Sequence, residues 1–161
     1  MEPAPSANET PDVLVFPPLV ALAGPVLGAL LEWLVPLGWL PPPGLHAASL
    51  AGAALTVAAV ALAWWGKRCF DAAATNVNPR RPALRLVESG PYRFTRNPMY
   101  LGMVLAQPGL ALALSLDWTL LLTPVVWAAL HRGVVLREEA YLTRRFGADY
   151  TAFASRTRRW L

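Results

Sequence analysis

Residues 84–102 read LRLVESGPYRFTRNPMYLG and lie between two long apolar runs. The stretch gathers Arg85, Arg93 and Arg96 with Tyr92 and Tyr100 around a Gly90-Pro91 turn. It closes on Asn97-Pro98, a helix-start signal: asparagine is a favoured N-cap, and proline suits the first helical position, where its missing N–H is not needed. The run beyond Pro98 is apolar enough to enter a bilayer. The pattern predicts a helix N-terminus, with unpaired N–H groups and a partial positive charge, at a membrane surface among arginines. Two readings fit these residues: a seat for an anionic group, or a basic loop that anchors the chain to anionic lipid.

Working outward, 55% of the 161 residues are hydrophobic and only 15% are charged, which places the chain among membrane proteins. All fourteen Lys and Arg fall in two blocks, Lys67 to Arg96 and Arg132 to Arg159, and the first 66 residues hold none. Positive charge confined between apolar runs of membrane length marks topology and argues against a nucleic-acid partner. The single cysteine, Cys69, excludes an internal disulfide, and no CxxC or histidine cluster suggests a metal. Thirteen arginines against one lysine, beside abundant alanine, fit a GC-rich bacterial genome.

Residues 1–12 are polar and acidic and lack the basic start of a secretory signal, so they read as a disordered tail. Apolar runs at 13–40 and 47–66 predict an N-terminal helical hairpin over 13–70, turning at 41–46, where His46 reads as solvated. Trp33, Trp39, Trp64 and Trp65 suit the interfacial belt. Glu32 is a functional candidate as an ionisable residue in a span, but its flanking tryptophans favour snorkelling to the interface. The connection 71–97 is basic and therefore reads as cytoplasmic. A third run, from Pro98 to about Leu116, is interrupted at Pro108-Gly109, and a tight turn at 115–117 leads into a fourth, bent at Pro124.

The fourth run continues past His131-Arg132 as an amphipathic helix. Leu136, Tyr141, Leu142, Phe146, Tyr150 and Phe153 can line its apolar side, while Arg144, Arg145, Arg156, Arg158 and Arg159 face water or headgroups. The expected fold is one all-α integral membrane domain over 1–161. It has four transmembrane helices in two hairpins, a cytoplasmic connecting loop and an amphipathic C-terminal helix, with both termini in the cytoplasm.

A hairpin with so short a turn must bring its two cytoplasmic ends together. Asn97 to Tyr100 should therefore lie beside Arg132 to Glu139. Carboxylates, arginines and tyrosines around a helix start can hold a zwitterion with a further positive centre: carboxylates take an ammonium or ribose hydroxyls, and N–H groups take a carboxylate. Glu138 and Glu139 alone would read as surface partners of Arg144 or Arg145. His131 is either a base or an interfacial residue. No GxSxG, P-loop, HExxH or strand-borne GxGxxG occurs.

Taken together, LVESGPYRFTRNPMYLG, an apolar hairpin and REEAYLTRRFGADYTAF resemble the isoprenylcysteine carboxyl methyltransferase family. More broadly, they resemble the membrane methyltransferases that act on phospholipid amines and small thiols. The likeness spans about residues 75–161. It implies S-adenosyl-L-methionine in a cytoplasm-facing pocket and a lipophilic substrate entering between spans. The cofactor contacts it implies are Leu84, Arg85, Leu86 and Val87 (largely backbone), Tyr92, Asn97, Pro98, Met99, Tyr100 and Glu138, with Arg96 and Glu139 in support. That family usually has histidine where Asn97 stands, and its substrate-facing arginine falls on Val134. Arg132 and Arg137 are the nearest stand-ins, and Glu139 or His131 could take a proton from an amine acceptor.

The expected activity is methyl transfer from S-adenosyl-L-methionine to a lipophilic or amphipathic acceptor: a prenylcysteine-like carboxylate, a lipid amine or a thiol. The partners are that substrate and membrane lipid, and the location is a bacterial inner membrane with a cytoplasmic site. Two alternatives stay open on sequence alone: an NADPH-dependent reductase of sterol or isoprenoid double bonds, and a non-catalytic lipid-binding protein.

Overall fold

The structure is a computed structural model that describes residues 10–161. The expected disordered tail lies mostly outside the described residues. Within them every regular element is helical: α1 (Pro17–Leu34), α2 (Ala47–Ala72), a 3-10 turn (Gly90–Arg93), α3 (Pro98–Leu114), α4 (Asp117–Leu130), a π-helical turn (His131–Val135), α5 (Leu136–Phe146) and α6 (Ala148–Arg156).

Three helices are long and apolar enough to cross a membrane: α1, α2 and the continuous run Asp117–Phe146. The 17 residues of α3 make a shorter apolar helix, about 26 Å at a rise of about 1.5 Å per residue, against a hydrocarbon core of about 30 Å. Its neighbours are longer, with 26 residues in α2 and 30 in Asp117–Phe146. The start of α3 is therefore recessed between two taller helices. Pro25, Pro108 and Pro124 all sit inside helices that continue through them.

Of the two expected hairpins only the second forms: α3 packs on α4 across their short turn, whereas α1 and α2 part, α2 packing along α3 and α1 on α4 and, to a lesser extent, on α3. Small residues decide this, because apolar helices in lipid gain by close approach rather than by hiding from water. A Cβ on Gly52 would lie 2.5 Å from the Ala113 nitrogen, and one on Gly102 would lie 2.5 Å from the Ala59 carbonyl. Across α1 and α4, a Cβ on Gly28 would meet the Thr119 backbone at 2.7 Å. Gln107, 2% exposed, adds a polar tie by donating to the Ala21 carbonyl at 2.9 Å.

The two carboxylates at the end away from the recess act as caps. Asp117 accepts from the Trp39 and Leu40 N–H groups at 2.9 and 3.0 Å, and Glu32 accepts from Leu37 and Trp118 at 3.3 and 3.4 Å. Glu32 therefore ties a turn to the first residues of α4 and does not snorkel free. His46, expected in solvent, is the N-cap of α2 and accepts from the Ser49 N–H.

The C-terminal helix is broken where one was expected. Gly147, at φ +53°, ends α5 and turns α6 back across the molecule. Before it, the π-helical turn lies under the N-terminal segment. Leu14 donates to the Gly133 carbonyl at 2.9 Å, and Val15 fills the space a Cβ on Gly133 would need.

Candidate active site

The recess at the start of α3 is a cavity of about 800 Å³, counting the part open to solvent. Phe70 of α2, the strip Arg85 to Val87, and Tyr92 form one wall. Arg96, Asn97, Met99 and Tyr100 line the side where α3 begins. Opposite are Glu138, Glu139, Tyr141 and Leu142 of α5, with Tyr150 and Phe153 of α6. Pro11 and the loop holding Asn76, Asn78 and Arg81 stand at the rim.

Local chemistry explains each placement. The 71–97 connection is folded on itself: Thr75 Oγ1 accepts from the Leu84 and Arg85 N–H groups at 2.9 and 3.2 Å, and the Tyr141 hydroxyl accepts from Ala83 at 3.0 Å. Gly90, at φ +61°, lets the chain pass so near Cys69 that a Cβ would lie 2.6 Å from its sulfur. The 3-10 turn it opens puts Tyr92 against Phe70, ring centroids 5.4 Å apart. Glu138, Tyr141 and Leu142 share one helix face at spacings of three and four.

Asn97 holds the expected position but not the expected contact. Its side chain makes no capping bond to α3; its Nδ2 donates to the Arg159 carbonyl at 2.9 Å. With no side-chain cap and no N–H on Pro98, the first-turn donors of α3 are those of Met99 and Tyr100, two residues that line the cavity. Beside them the Tyr100 hydroxyl donates to Glu138 Oε1 at 2.7 Å. The Tyr92 hydroxyl and the Arg96 Nε are buried with no hydrogen-bond partner among the described residues. Burial, with the Glu138 carboxylate nearby, holds the Tyr92 phenol well above the usual tyrosine range. Tyr150 is pushed up to about 12, mainly by burial and then by Glu139. Both phenols therefore stay neutral and can donate.

Glu139 is bound by two arginines. Arg159 Nε lies 2.9 and 3.0 Å from its two oxygens, Arg159 Nη2 at 2.8 Å and Arg96 Nη2 at 3.1 Å. In place of the Arg144 or Arg145 pairing considered from sequence, Glu139 is held by arginines from two other segments.

Four sequence-predicted residues are not on the cavity wall. Leu84 is 57% exposed, and Pro98 is buried against α2 near Gly66. Arg132 and Arg137 also stand apart. Arg137 is turned about 100° around α5 from Glu138 and reaches Asp12, its carbonyl at 3.1 Å and its carboxylate at 3.6 Å. His131 is stacked on Trp127 at 5.1 Å and accepts from the Trp160 indole at 3.4 Å, away from the cavity. Phe70, Arg81, Tyr150 and Phe153 were missed as cavity residues. For Tyr150 and Phe153 the apolar side noted for the C-terminal helix was the one signal, and with Tyr141 and Leu142 they line the cavity.

The family profile described as phospholipid methyltransferase matches residues 47–149, from the start of α2 into α6. No curated protein and no solved structure matches the chain significantly.

Proposed function

This chain belongs to the phospholipid methyltransferase family and is an integral membrane methyltransferase. From that premise we propose that its methyl donor is S-adenosyl-L-methionine, held in the cavity between the start of α3 and α5. The carrying observation is the convergence there of an uncapped helix start, the Glu138–Tyr100 pair and an unpartnered buried Tyr92 hydroxyl.

The residues fit that molecule. Its carboxylate matches the free N–H groups of α3, and its ammonium or ribose hydroxyls match Glu138. Phe70, Leu86, Val87 and Phe153 offer apolar surface for a purine, and the Tyr92 hydroxyl a hydrogen bond.

When bound, the cofactor supplies an electrophilic methyl group to a lone pair on the acceptor. The protein's own work is placement and exclusion of water. A second groove, lined by Phe16, Pro17, Pro18, Met99 and Met103, shares Met99, Tyr100 and the 77–79 loop with the cavity. Its apolar walls suit the chain of an amphipathic acceptor: a lipid amine, a thiol or a prenylcysteine-like carboxylate. Arg81 and Arg85, on the cavity wall, take the headgroup role that Arg132 and Arg137 are too remote to play. In this reading α3 is a fourth span. The basic residues gather at the cavity end, while Glu32 and Asp117 occupy the other, which supports a cytoplasmic site and termini in a bacterial inner membrane.

Calorimetry on detergent-purified protein should show binding of S-adenosyl-L-methionine and not NADPH, and membrane extracts should accept label from the methyl-labelled cofactor. Binding of NADPH alone would overturn the proposal.

A further inference from the structure

The last residues of the chain form a structure of their own across the start of α3. Arg96 donates to the Arg158 carbonyl at 2.8 Å, as part of a parallel bridge between Thr95 and Arg158. The next carbonyl, that of Arg159, accepts from Asn97 Nδ2 at 2.9 Å and from Thr95 Oγ1 at 3.3 Å. The Arg159 guanidinium reaches the other way and grips Glu139 of α5 by Nε and Nη2. Trp160 then packs against Trp127 of α4 and His131 of the π-helical turn, its indole donating to His131. Thr157, 6% exposed, anchors the segment where α6 ends. This tail lies beyond the residues matched by the family profile.

Two cavity residues owe their positions to these contacts. The amide of Asn97 is turned to the tail and away from α3, which leaves the helix start open. Arg96, only 13% exposed, is shared with Arg159 through Glu139. Both oxygens of Glu139 are taken up by guanidinium donors, three contacts from Arg159 and one from Arg96.

We propose that Arg159 is a positioning residue of the cofactor site: its guanidinium fixes Glu139 and its carbonyl fixes Asn97, so that the C-terminal tail latches the start of α3 onto α5. Glu139 is then the keystone of the latch and not a base. The proposal rests on the reading that the cavity holds S-adenosyl-L-methionine.

The test uses the full chain in detergent with Arg159→Gln, Arg159→Lys and Glu139→Gln. Two readouts are taken: the Kd for S-adenosyl-L-methionine, and amide hydrogen exchange over residues 94–98. Arg159→Gln should speed exchange in that segment and weaken cofactor binding about tenfold, the effect of one charge-assisted contact. Arg159→Lys should recover part of the affinity. The double variant with Glu139→Gln should be no worse than the poorer single one, because both changes break one interaction. Unchanged exchange in Arg159→Gln overturns the latch, whatever the affinity. Faster exchange with unchanged affinity overturns the positioning role. A wild-type chain that binds no S-adenosyl-L-methionine overturns the functional reading and the positioning role with it, while the exchange still reports whether the latch exists.

Discussion

The Tyr100 hydroxyl donates to the Glu138 carboxylate at 2.7 Å, joining the first turn of α3 to the first turn of α5 across 38 residues of chain. This contact forms part of the wall of the recess at the start of α3. A buried carboxylate needs a donor, and here a phenol supplies it from the neighbouring helix. One oxygen is thereby satisfied, and the group faces the cavity with capacity to spare.

Glu138→Ala should lower affinity for S-adenosyl-L-methionine by at least tenfold, from the loss of a charge-assisted contact worth about 1.5–3 kcal/mol. Tyr100→Phe should lower it less, because the carboxylate remains. Calorimetry on both variants, with helix content followed by circular dichroism, checks the order. Equal affinity in Glu138→Ala and wild type would place the cofactor elsewhere.

Tyr92→Phe should move stability and binding in opposite directions. Removing a buried hydroxyl with no partner relieves a desolvation cost of about 1–3 kcal/mol, so the ligand-free variant should melt higher. The same change removes a ligand contact, so the rise in Tm on adding S-adenosyl-L-methionine should shrink. Thermal unfolding with and without the cofactor tests both parts.

Gly109→Leu should destabilise the assembly by more than about 3 kcal/mol. A Cβ there already meets the Thr56 nitrogen at 2.8 Å, and neither backbone can yield without separating α2 from α3. Gly44→Ala, where a Cβ has its nearest neighbour at 3.4 Å, is the control. Size-exclusion profiles in detergent would separate the two.

Glu32→Gln should leave cofactor affinity within about twofold of wild type, since the residue caps the opposite end. It should still cost roughly 0.5–2 kcal/mol of stability through a weakened cap to Trp118 and Leu37. A tenfold loss of binding would instead assign Glu32 to the site.

The folded pKa of Tyr150, about 12, exceeds the value of about 10 for a free phenol. The stabilisation that comes from keeping it neutral is whole below pH about 10 and is lost as pH rises through about 12. Tyr150→Phe should flatten the decline in Tm over that interval, and unchanged steepness would place the titration in another group.

Helices were legible in the sequence because apolar runs, prolines and Asn97-Pro98 are local signals. The recess was legible in outline because LVESGPYRFTRNPMY holds one whole side of it in contiguous residues. Its other side was harder. Arg159 and Arg96 meet on Glu139 from segments far apart in sequence, and surface pairing with a nearer arginine was the simpler expectation. Asn97 had every mark of a cap, yet its side chain is turned by a bond that its Nδ2 donates to the distant Arg159 carbonyl. Arg132 and Arg137 were nearest to the right place by residue number, but the helix phase through the π-helical turn and α5 aims them elsewhere.

The sequence by itself determined what is written in neighbouring residues: how many apolar helices there are, which end carries the positive charge, and where α3 begins. Beyond the α3–α4 hairpin, only the tertiary structure decided which helix lies against which, and which charges meet. The reason is physical. Hydropathy and backbone propensity act within a few residues, whereas pairing in lipid depends on where two stripes of glycine and alanine allow backbones to touch. A buried carboxylate takes whichever cation the final packing brings within reach.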